Sequence, residues 1–246
     1  MSEITVLPEE GQTGRLSYRI DYRPSFALAT VWLPPDGSIK TESGAMVSMS
    51  TNMSIESKME GGVWGALKRG VAGRSSFVST YTAQGGPAEL TLAPATPGDV
   101  VPLALGDETY CIAASSFLAC DPGLEVDTQW AGAKGLFGSS SLFVVRVSGS
   151  GLQFVTAFGA LHQRALRPGE KYVVDTGHVV AWHAEMPYEI HKVTKSLFRS
   201  VTSGELLVAE FTGPGVLLLQ TRNLQALAAA LAPYLPKDTT TVSSSE

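Results

Sequence analysis

Asp175-Thr176-Gly177, with Val173 and Val174 before it and His178 after it, is the stretch of this chain that most resembles a catalytic element. An aspartic protease presents its carboxylate in this way, and the carboxylate works only when a second one faces it and the two share a proton. A homodimer could supply that partner. Against this, Glu42-Ser43-Gly44 repeats the same turn early in the chain without the protease pattern, and no apolar-apolar-Gly element follows to brace the loop. A structural turn is the favoured reading, and a hydrolase centred on Asp175 is the alternative. The histidines, His162, His178, His183 and His191, suit a metal poorly. His178 and His183 are five apart, so on one continuous strand they face opposite sides. His183 and His191 share parity, but a turn at Met186-Pro187 separates them. Glu125 and Asp127 sit on one face of GLEVDTQW (123–130), as an acid/base pair would. Plain polar-out alternation opposite Leu124 and Val126 gives the same pattern. The phosphate-binding loops GxxxxGK[ST] and GxGxxG and the nucleophile elbow GxSxG do not occur. The expectation is no catalytic residue, no cofactor and no metal.

A different chemistry, surface recognition, is written three times. KMEGGVWGALKRG (58–70) carries Trp64, Leu67, Lys68 and Arg69. WAGAKGLFGSS (130–140) carries Lys134, Leu136 and Phe137, and KVTKSLFRSV (192–201) carries Lys195, Leu197, Phe198 and Arg199. Each sets a cation within a few residues of a large apolar side chain. Glycine crowds the first two segments and is missing from the third. In one reading the apolar residues plug a core or a subunit contact. In the other they form an interaction face, apolar tips entering a membrane interface or a partner while the cations meet phosphates.

The elements that would carry these segments recur as well. LPPDGSIKTESGAMVSMS (33–50) and LRPGEKYVVDTGHVVAWH (166–183) share a Pro-rich turn, an alternating run, Ser/Thr-Gly and a second run. A looser copy starts at ATPGDVVPLAL (95–105) and resumes at AASSFLACD (113–121). Each copy closes with strand, Gly-rich turn and strand, at 75–93, 141–158 and 204–221, and these read as hairpins. The spacing suits three tandem β modules, at about 15–90, 91–158 and 159–222. Asn223 is a good N-cap for the single convincing helix, 223–235, which repeats leucine at Leu224, Leu227 and Leu231 and is suited to sealing a sheet edge. KDTTTVSSSE (237–246) has nothing to bury and reads as disordered.

Composition narrows the classes further. With 44% apolar and 17% charged residues the chain of 246 can bury a core, and 25 Gly with 14 Pro favour short strands over long helices. A net charge of -5 works against general binding to nucleic acid. Two cysteines, Cys111 and Cys120, make no disulfide framework and read as half-buried thiols in a reducing compartment. MSEITVLPEE lacks the features of an export signal, and no apolar run reaches the roughly 20 residues that span a bilayer. A soluble, cytoplasmic protein is expected.

RPSFALATVWLPPDGSI, ESGAMVSMS, MEGGVWGALKRGVAG with SSFVSTYTA, PGDVVPLAL, SFLACDPGLEVDT, KGLFG, VVDTGHVVAW and TRNLQALAAALAPYLP together resemble the altered inheritance of mitochondria protein twenty-four family. The match runs from about Arg23 to Pro236. It implies small double-stranded β-helix or sandwich modules like those of the tryptophan RNA-binding attenuation protein, which assemble in rings of about nine to eleven. Three modules per chain then imply a homotrimer. The resemblance implies no enzymatic activity, and its eukaryotic members point towards membranes or large assemblies. The functional expectation is a non-catalytic scaffold or interaction protein. The alternative is a small-ligand binding module using crevices between modules.

Overall fold

The computed structural model describes residues 4–13, 16–58, 78–130, 143–192 and 207–236. They are mainly strand, with one short α-helix near the C-terminus. Three strands lead in: β1 (Thr5–Val6), β2 (Glu10–Thr13) and β3 (Leu16–Asp21). Six follow in each of three repeats. The first repeat holds β4 (Leu28–Leu33), β5 (Ser38–Glu42), β6 (Met46–Met49), β7 (Met53–Lys58), β8 (Val78–Ala83) and β9 (Ala88–Leu92). The second holds β10 (Gly98–Leu105), β11 (Thr109–Ala113), β12 (Phe117–Cys120), β13 (Glu125–Trp130), β14 (Phe143–Ser148) and β15 (Gly151–Phe158). The third holds β16 (Leu161–Leu166), β17 (Lys171–Asp175), β18 (Val179–His183), β19 (Tyr188–Lys192), β20 (Leu207–Thr212) and β21 (Gly215–Gln220).

Pairing is the same in every repeat. The first and third strands flank the sixth (β4 and β6 on β9, β10 and β12 on β15, β16 and β18 on β21). The second and fourth flank the fifth (β5 and β7 on β8, β11 and β13 on β14, β17 and β19 on β20). Each repeat is thus two antiparallel three-stranded layers. Even the irregularities coincide: the third strand bulges by one residue against the sixth at Val47, Leu118 and Val180. A bulge re-aims a strand locally and fixes its register, so these three residues mark one site of the repeat.

The described residues of the runs at 75–93, 141–158 and 204–221 are strand, turn and strand, but they are not hairpins. β8 and β9 lie in different sheets, as do β14 and β15, and β20 and β21. The glycine turns are corners that pass the chain from one layer to the other. Gly149, at φ 105°, supplies the left-handed backbone one such corner needs. The true hairpins are β7–β8, β13–β14 and β19–β20.

Adjacent repeats join edge to edge, the second strand of one pairing with the third strand of the next. β5 pairs β12 (Thr41↔Ala119, Lys40↔Cys120), and β11 pairs β18 (Ile112↔Ala181, Cys111↔Trp182). Continuous sheets of seven strands (β1-β10-β15-β12-β5-β8-β7) and six strands (β13-β14-β11-β18-β21-β16) result. The cores interlock across the same joints. Phe154 of the second repeat packs in the first core, edge-on to Tyr18 at 5.3 Å, and Val180, Val216 and Leu218 of the third enter the second. Trp182, fully buried, anchors the third core against Phe211 and Tyr188.

The starts of the repeats stack too. Ala27 N donates to Gly98 O and Asp99 N to Gly159 O. Gly98 must be glycine, because a side chain there would collide with the Ala157 carbonyl. Arg23 crosses this joint to the buried Asp99 with two hydrogen bonds, 2.7 and 3.0 Å.

The helix α1 (Leu224–Leu231) begins on Asn223, whose side chain accepts from Gln225 N and Ala226 N, and a 3-10 turn (Ala232–Tyr234) follows it. It does not seal a sheet edge within the chain, since every residue from 224 to 236 is exposed.

Candidate interaction site

The three cation-and-apolar segments connect equivalent strands. Their flanking hairpins end on the pairs Lys58↔Val78, Trp130↔Phe143 and Lys192↔Leu207. Val78, Val144 and Val208 of the fifth strands lie opposite Glu42, Ala113 and Asp175, which are the same position in successive repeats. Trp64, Leu67, Lys68, Arg69, Lys134, Leu136, Phe137, Lys195, Leu197, Phe198 and Arg199 themselves lie outside the described residues. So does the tail 237–246.

Asp175 closes a polar knot. Its Oδ1 accepts from Gly177 N (2.9 Å), and its Oδ2 accepts from Asn223 Nδ2 (3.2 Å). Gln220 Nε2 donates to Gly177 O, Phe158 N donates to Gln220 Oε1, and His178 Nδ1 lies 2.7 Å from Gln220 O. Gly177 has no room for a side chain, because Asn223 fills the space. Asp-Thr-Gly here caps a 3-10 turn and ties down the root of α1. Both carboxylate oxygens are committed to that work.

The other residues singled out by type are dispersed. Among the described residues no three His, Cys, Asp or Glu come together as a metal would require. His183 stacks edge-on with Tyr110 and accepts from Glu185 N, while His191 lies 3.6 Å from Glu189. Glu125 and Asp127 face out of β13 while Leu124 is buried, as polar-out alternation requires. Both thiols are fully inside and free, more deeply than half-buried. Burial pushes Cys111 up to about 11 and Cys120 up to about 12. Such thiols stay protonated and unreactive.

Sequence reasoning missed the open edges. Among the described residues no strand pairs the outer side of β6 or of β17, although those slots are filled at both internal joints. The bulge residues show what this means for burial. Leu118 and Val180 are 0% exposed, while Val47 is 57% exposed and its neighbours Met46 and Met49 are exposed as well. On β17, Val173 is 53% exposed, whereas Cys111, in the same slot, is buried. By type, AMVSM reads like VVAW; only the topology shows that one is covered and the other bare.

Residues 18–222 match the model of the mitochondrial biogenesis AIM24 family. An uncharacterised protein of Streptococcus pyogenes serotype M6 is 32% identical over 231 residues, which is 90% of this chain and 92% of that one. A Streptococcus pyogenes protein solved by X-ray crystallography superposes with a TM-score of 0.74 at 32% identity, over 90% of this chain and all of that one. The matched span opens within β3 and closes just past β21, so it takes in the eighteen repeat strands, and by that match this chain belongs to the mitochondrial biogenesis AIM24 family.

Proposed function

We propose that this protein is a non-catalytic, cytoplasmic interaction scaffold. Three chains form a ring that holds equivalent hairpin tips towards one common surface. The observation that carries this reading is the shared position of the flanking strands: each of the three segments that set a cation near large apolar residues joins the fourth and fifth strands of its repeat. Repeated equivalents present their tips on one end of the assembly, and weak contacts multiply there into avidity.

The bare edges support the ring. Exposed strand edges are a liability in β proteins, and a head-to-tail joint closes into a ring when its rotation allows. Applying the internal register to β17 and to β6 of another copy sets Val174 opposite Ser48 and Val173 opposite Met49. Three chains supply nine modules.

The partner is an anionic membrane surface or a protein. The test is binding to vesicles of anionic lipid at increasing salt. Binding should weaken with salt, be abolished when Trp64, Phe137 and Phe198 are changed to serine, and be reduced by Lys68→Glu with Arg69→Glu, while the assembly keeps its mass. Serine variants that come apart instead would make the segments packing elements. A thermal shift with a small molecule, unaffected by those variants, would favour a binding module using crevices between repeats. A hydrolytic activity lost in Asp175→Asn would favour a hydrolase.

A further inference from the structure

The least explained part of the chain is its C-terminal segment. From Leu224 to Pro236 it contains no charged residue, and every one of the 13 is exposed. Leu224, Leu227 and Leu231 form one stripe of α1, continued by Tyr234 and Leu235, which are 85% and 62% exposed. An isolated helix shorter than about 12 residues is marginal in water and takes its stability from packing an apolar face. α1 has eight residues, and none of them is buried among the described residues. Its root is nevertheless fixed by the knot of Asn223, Asp175, Gly177 and Gln220. A short, uncharged helix with a rigid root needs a cover that the described residues do not supply.

The position of that root indicates which cover. Asp175 is the last residue of β17, one of the two open edges, so α1 springs from the edge that receives the next copy. The stacked repeat starts make this more specific. Ala27 bonds to Gly98, and the equivalent Asp99 bonds to Gly159. One further step places Phe26 and Ala27 of the next copy against Gly159 and Ala160. That site is the foot of the helix: Thr221 N donates to Ala160 O, Thr221 Oγ1 accepts from Ala160 N, and Thr221 with Arg222 fills the space above Gly159. Tyr22 and Phe26 are large apolar side chains, each 72% exposed. They would arrive beside the leucine stripe.

We infer that α1 and the Tyr234–Leu235 step form a clamp that docks on the Tyr22–Phe26 turn of a second copy and covers the β17–β6 joint. The inference rests on the ring reading above. A lipid surface fits this segment less well, because helices that lie on anionic membranes carry Lys or Arg on their polar face and α1 has neither.

Two measurements on the full chain test it. In the first, Phe26→Cys chains are mixed with Leu227→Cys chains and treated with a short bismaleimide. The native thiols are buried, so the clamp should give a linked pair of chains from the mixture only. In the second, Leu227→Asp with Leu231→Asp should raise the concentration at which the assembly dissociates at least about tenfold. The melting of dilute single chains should not move, because α1 is exposed. The Val173→Cys with Met49→Cys pair serves as control for the joint itself. If that pair links copies while the clamp pair does not and dissociation is unchanged, the clamp is overturned and the ring stands. If neither links and the protein has the mass of one chain, the ring falls and the clamp with it.

Discussion

The joint between β11 and β18 and the bare edges β17 and β6 are the same structural slot, once filled and once empty. In the filled joint Val180 and Trp182 are fully buried; in the empty one Val47 and Met49 meet solvent. Sequence type does not separate them, since Val47 and Val180 are the same residue at the same bulge. A site's energetic role is set by its neighbour across the joint, and for β6 no described strand of the chain fills that place.

The comparison is broken most severely by placing one change in both slots. Leu118→Asp buries a charge in the first core and should abolish folding, read by loss of the cooperative melt. Val47→Asp at the equivalent position should leave the melt of dilute chains within about 0.5 kcal/mol and abolish assembly, read by light scattering. Arg23→Ala sharpens the picture at an internal joint. Asp99 would remain buried without its two charged hydrogen bonds, at a cost of about 2 kcal/mol in denaturant unfolding. Asn223→Ala removes the cap of α1 and its tie to Asp175. About 1 kcal/mol should be lost from the helix, seen as faster amide exchange at Gln225 and Ala226 with the strands unaffected.

The smallest effect concerns Asp121. Burial raises its pKa from the ordinary aspartate value, more than the hydrogen bond from Leu152 N lowers it. A folded pKa above the unfolded one means that the ionised form is a penalty. That penalty is full at neutral pH and disappears as pH falls through the folded value. Asp121→Asn keeps an acceptor for Leu152 N. It should melt above the wild type at pH 7, with the gap closing as pH falls into the range where Asp121 is protonated in both states.

Much of this fold is legible in residues. Ser/Thr-Gly turns and apolar runs reveal the repeat because each copy needs the same backbone turns and the same buried faces. The cap at Asn223 is visible because few side chains satisfy helix-end amides. Asp175-Thr176-Gly177 and Glu42-Ser43-Gly44 match because both close the second strand of a repeat. What stays hidden is which strand pairs with which. SFVSTYTAQGGPAELTLA reads as a hairpin although β8 and β9 lie in separate layers. Strand, turn and strand carry the same local signals whether the chain folds back in one sheet or crosses to another. The open edges and the uncovered helix are hidden for a related reason: each shows only in what lies, or fails to lie, across from it.

The central claim is that the two open edges close on other copies in the register of the internal joints. Its most direct test is the chain carrying Val173→Cys and Met49→Cys, oxidised and resolved without reductant. Paired Cα atoms across an antiparallel joint lie about 4.5–5.5 Å apart, within disulfide reach. The account predicts a ladder of one, two and three chains that stops at three. Single chains alone, or a ladder continuing past three, would contradict it.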